Sequence, residues 1–231
     1  MSKVLTALAL APFTAAAAFA TAALLFSALA RRQTALPLLL GAALCGLLHC
    51  CRLKSRFFYI LAHELSHALA ALVSGVKIRK INVGKNGGYV ALSATNTFIS
   101  LAPYFIPFYA LASGLIYGLA AFFTDMTPYR PLFTGIAGFF LTYHLLNTGE
   151  ILTGPMQSDL KKAGGALFSV SLVFLLNSLG LALALKLIFP DLISLGSYAA
   201  GVWTLAVEIA SRIFAAVLYI YNVAKIYYSD R

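Results

Sequence analysis

Residues 61–75 read LAHELSHALAALVSG, placing His63, Glu64 and His67 inside an otherwise apolar run. On a helix, residues four apart share a face with Cβ atoms about 5–6 Å apart. His63 and His67 can therefore turn imidazole nitrogens onto one metal ion at the roughly 2.0–2.1 Å that zinc requires. Glu64 follows the first histidine by one residue, about 100° further around the helix. There it stands beside an ion without ligating it, placed to take a proton from water and return it to a leaving amine. The bland alternative is that the two imidazoles only hydrogen-bond neighbouring helices. Three ionisable groups on one apolar helix call for a shared partner, and a metal is the simplest one.

A catalytic zinc takes three protein ligands and leaves a fourth position open. The other acids in the chain are Asp125, Glu150, Asp159, Asp191, Glu208 and Asp230. Asp125 and Asp191 read as loop residues, Asp230 as terminal, and Glu208 has Arg212 four residues on. Glu150 and Asp159 remain as candidates for the third ligand. Gly154 and Pro155 should break the helix shortly before Asp159, since proline lacks the N–H a helix needs. A break at membrane depth is tolerated where it lines a cavity, which favours Asp159 turning toward the histidines.

The elements that must position these residues follow from composition. Of 231 residues, 61% are hydrophobic and only 10% charged, against roughly 25% charged in soluble domains. Mean hydropathy is +0.88. The net charge of +10 sits in short stretches between apolar runs, where it fixes orientation rather than reading nucleic acid. Apolar runs at 4–30, 35–51, 57–75, 97–123, 132–153, 166–189 and 199–228 predict an all-α polytopic membrane protein with about six or seven transmembrane helices. The first run is long for a signal peptide and reads as a retained helix. No linker divides the chain, so 1–231 forms a single integral membrane domain. With seven spans, the side bearing 76–96 collects ten Lys and Arg against five, which predicts a cytoplasmic 76–96 and an outside N-terminus.

Segment 76–96, VKIRKINVGKNGGYVALSATN, breaks the helical period. Val76, Ile78, Ile81 and Val83 are β-branched, GKNGGYV supplies a turn, and Val90 begins a second apolar strand. A short β-hairpin after the HExxH helix is predicted. Its edges need protein, water or the interface beside them rather than lipid.

With these motifs in this order, the chain resembles the site-2 protease family of intramembrane zinc metalloproteases. The carriers are HELSH, then VSGVKI, then the hairpin ending GGYV, then SD at Asp159. They span a core of about 57–175. The resemblance implies zinc held by His63, His67 and Asp159, with Glu64 as general base. It also implies hydrolysis of peptide bonds in or near transmembrane segments of membrane proteins, whose helix unwinds and adds to the hairpin edge. Two positions depart from the family pattern. Leu160 stands where the family's aspartate is usually followed by glycine. The helix after the hairpin, FISLAPYFIPFYALASG, lacks the asparagine that stabilises the oxyanion, leaving Tyr104 or Asn147 as stand-ins.

The expected partners are a membrane-protein substrate with a transmembrane segment and the lipid bilayer, with no nucleic acid. The expected location is the cell (inner) membrane, crossed several times. The competing reading is a catalytically silent family relative that binds or routes membrane proteins. His144 reads as a hydrogen-bonded packing residue, the HCC at 49–51 as a helix end, and Glu208 with Arg212 as a buried ion pair.

Overall fold

The structure is a computed structural model that describes residues 3–30, 32–53 and 55–229. Nine helices and one two-stranded sheet occur among the described residues. In chain order they are α1 (Lys3–Leu29), α2 (Arg32–Cys50), α3 (Arg56–Val73), β1 (Ile78–Val83), β2 (Gly88–Leu92), α4 (Thr97–Phe105), α5 (Phe108–Phe123), α6 (Arg130–Thr153), α7 (Ser158–Ala163), α8 (Ala166–Ile188) and α9 (Leu195–Ser229). A single 3-10 turn at Thr127–Tyr129 leads into α6.

Each predicted apolar run is helical, but fewer helices qualify as membrane spans than the six or seven expected. α1, α8 and the Leu195–Lys225 part of α9 are long and apolar enough, and α4 with α5 makes a fourth if counted as one bent span. The bend is 77°. It falls at Ile106, whose extended backbone (φ −92°, ψ 108°) is what a residue preceding proline adopts, and Pro107 has no N–H to continue the helix. The apolar part of α2, Ala35–Cys50, is short for a span. α3 and α6 carry ionisable groups mid-helix, among them His63, Glu64, His67 and His144, which lowers their apolar character. The Lys and Arg tally assumed seven alternating spans, so the predicted orientation loses its basis. The apolar helices are those of a membrane protein.

α1 lies against both α8 and α9. The Thr14 hydroxyl donates to Ser171 O at 3.3 Å, and Thr21 donates to Ser178 O at 3.0 Å while meeting the Tyr198 hydroxyl at 2.9 Å. Buried Ala16, Ala17, Ala182 and Ala206 let these backbones approach closely, which is how helices pack where lipid offers no hydrophobic drive. α2 and α6 approach closer still. A Cβ on Gly41 would stand 1.8 Å from the carbonyl oxygen of Gly135, so only glycine fits that crossing.

The hairpin is antiparallel, pairing Ile81 with Val90 and Val83 with Gly88, with an irregularity between Ile78 and Lys80. It lies along α3. A Cβ on Gly88 would meet Glu64 Cγ at 2.8 Å and Ile60 Cγ2 at 2.9 Å.

Candidate metal centre

α3 buries Ile60, Glu64, Ser66, Ala68, Ala70 and Ala71 and turns its histidine face toward α4 and α7. It ends at Ser74 and Gly75, where a left-handed φ of 66° suits glycine and sends the chain into the hairpin. The hairpin returns to Asn96, whose side chain caps α4 by accepting from Ile99 N at 2.8 Å. That cap orients the first turn of α4, and Ile99 O there lies 2.8 Å from His67 Nδ1.

Asp159 comes from α7, the short helix that follows the break at Gly154 and Pro155. Ser169 donates to Leu160 O at 2.9 Å, and Leu160 is buried with Leu101, Tyr104, Ala163 and Val173. Leu160, which follows Asp159 directly, is thus the residue that anchors α7. His63 Nε2 lies 3.5 Å from Asp159 Oδ2, and His67 Nε2 lies 3.6 Å from the same oxygen. One ligand atom from each of the three residues lies within 4.8 Å of the others.

Ligand atoms at the corners of a tetrahedron about 2.0–2.1 Å from its centre are about 3.3–3.4 Å apart. The two histidine–aspartate separations are close to that value, so the donor set fits a small divalent cation. Each ligand also has a partner behind it. Ile99 O holds His67 Nδ1, the Tyr59 hydroxyl lies 3.4 Å from His63 Nδ1, and the Tyr104 hydroxyl donates to Asp159 Oδ2 at 3.3 Å. The Ile99 carbonyl can only accept, so the His67 proton sits on Nδ1 and Nε2 is left for a metal. Burial pushes the Asp159 carboxyl up, but the two facing histidines outweigh it and hold the group below the usual carboxylate range.

Glu64 is 8% exposed and has no hydrogen bond to its carboxylate among the described residues. A cavity of about 30 Å³, lined by Tyr59, His63, Ser66, Tyr104 and Asn147, lies beside His63. Holding one water takes about 10–15 Å³, so there is room for solvent.

Among the described residues, Asp125, Glu150, Asp191 and Glu208 lie apart from the cluster, and Asp230 falls outside the described residues. Glu150 Oε1 is 3.1 Å from His49 Nε2 at the end of α2. Glu208 meets Arg212 at 2.7 Å on one helix, and both side chains are exposed, which corrects the expectation of a buried pair. His144 Nε2 is 3.0 Å from Asn177 Oδ1. Of the two stand-ins considered for the oxyanion, Asn147 donates its amide to Tyr143 O at 2.7 Å, while Tyr104 reaches the cluster. Tyr59 was not singled out in the sequence, although it precedes His63 by the same four residues that separate the histidines.

No protein-family model, curated protein or solved structure matches the chain.

Proposed function

We propose that the protein is a membrane zinc endopeptidase of the site-2 protease type, cutting in or beside transmembrane segments of other membrane proteins. The observation that carries the reading is the convergence of His63, His67 and Asp159 with unpaired, buried Glu64 next to His63. His63, His67 and Asp159 would hold the zinc, and their nitrogen and oxygen donors suit that ion. When bound, zinc supplies Lewis acidity, which eases ionisation of water and polarises a carbonyl.

The chain's own groups do the rest. Glu64 takes the proton from the attacking water and delivers it to the leaving amine nitrogen. The Ile99 carbonyl keeps His67 in the tautomer whose Nε2 lone pair is bare, and the Tyr59 hydroxyl steadies the His63 ring. The hairpin, packed on Ile60 and Glu64, offers a strand edge on which a substrate helix can unwind and expose its peptide bonds.

The test is co-expression with a library of tagged single-span membrane proteins, comparing wild type with Glu64→Gln. Cleavage products that vanish in Glu64→Gln, while metal content is unchanged, support the reading. Binding of single-span proteins with no product in either form would leave the silent, routing relative in its place.

A further inference from the structure

Two cavities meet at Ser55 and Tyr143, where α2 hands over to α3. One, of about 390 Å³, is bordered by Arg52, Arg56, Tyr59, Asn147 and Glu150. The other, of about 400 Å³, is apolar and lined by Leu48, Leu53, Phe58, Phe139 and Phe140. Glu150 is engaged by His49, and neither Arg52 nor Arg56 has a hydrogen-bond or ion-pair partner among the described residues. Arg52 is also the one non-glycine among the described residues with a left-handed backbone, at φ 57°. Such a conformation is disfavoured for a residue with a Cβ. Here it is set by the turn in which Arg52 N bonds His49 O and Leu53 N bonds Leu48 O.

Two unpaired guanidiniums over an apolar crevice match an amphiphile with an anionic head. Basic pockets between membrane helices suit phosphate head groups, and each cavity is of the size that small ligands occupy. A chain with net charge +10 is in addition drawn to anionic leaflets.

We propose that these joined cavities bind one anionic phospholipid, its phosphate on Arg52 and Arg56 and an acyl chain along Leu48 and Phe139. The site is separate from the metal centre but adjoins it. Tyr59 borders the basic cavity and reaches His63 through its hydroxyl, so the head group abuts the residue that orients a metal-facing imidazole.

The experiment uses the full chain in neutral detergent and native mass spectrometry with phosphatidylglycerol and phosphatidylcholine of identical chains. One phosphatidylglycerol should be retained about tenfold more than phosphatidylcholine. Arg52→Gln with Arg56→Gln should cut that retention about tenfold, and Arg52→Lys with Arg56→Lys should restore most of it. Arg79→Gln with Lys80→Gln, an equal charge loss on the hairpin, should leave retention unchanged. Glycerol phosphate, which has the head-group charge without acyl chains, should not displace the lipid. Undiminished retention in the glutamine pair at 52 and 56, an equal loss in the hairpin pair, or full displacement by glycerol phosphate would overturn the proposal.

Discussion

The phenol of Tyr104 donates to Asp159 Oδ2 at 3.3 Å, the same oxygen that the Nε2 atoms of His63 and His67 approach. Tyr104 is 1% exposed, and its carbonyl accepts from Asn177 at 2.7 Å, so the ring has little freedom to leave. Partners of this kind behind a metal ligand tune affinity by roughly 10- to 100-fold. Tyr104→Phe removes the hydroxyl and keeps the ring. Chelator competition should show zinc held about 10-fold or more weakly, with helical content unchanged. Unaltered affinity would mean the hydroxyl is only a packing contact.

Asp159→Ala should lose bound zinc and Glu150→Ala should keep it, as read by elemental analysis of detergent-purified protein. The geometry behind this is that Asp159 faces both histidines while Glu150 faces His49. The reverse pattern would move the third ligand to Glu150.

Gly88→Val tests the seating of the hairpin on α3. The added Cβ meets Glu64 Cγ at 2.8 Å and Asn82 O at 2.9 Å, and backbone cannot yield there as a side-chain tip could. β2 should be pushed off the helix. Hydrogen exchange should rise across β1 and β2. Protection equal to wild type would show that the strand tolerates the side chain.

Adding zinc should raise the thermal unfolding midpoint in detergent, and chelation should reverse the gain. Ligand at 100 times its dissociation constant stabilises the folded state by about 2.7 kcal/mol. His63→Ala and Asp159→Ala should respond far less, since each lacks one ligand. A wild-type midpoint indifferent to zinc would count against the metal centre.

The sequence exposed the parts of this arrangement that are local. Helical spacing put His63 and His67 on one face, β-branched residues around a glycine-rich turn marked the hairpin, and Gly154 with Pro155 marked the break before Asp159. The number of spans was less legible, because hydropathy integrates over a run and passes through Ile106 without registering the bend. The same averaging hides the short reach of α2. Ile99 had no readable signature, because it acts through its carbonyl, which every residue has. Tyr59 could have been found from its four-residue spacing to His63, but a tyrosine in an apolar run is ordinarily a packing residue.

The cap on α4 links two events usually kept apart, the anchoring of a strand and the ownership of a proton. Asn96 lies at the end of the short connection from β2 and also fixes the turn that presents Ile99 O to His67 Nδ1. A pull on the strand that lifted Asn96 from Ile99 N would rotate that carbonyl away. His67 would then be free to move its proton to Nε2, the nitrogen a cation needs bare. The seat of the strand and the hydrogen bond to one imidazole thus run through a single turn, the one Asn96 caps.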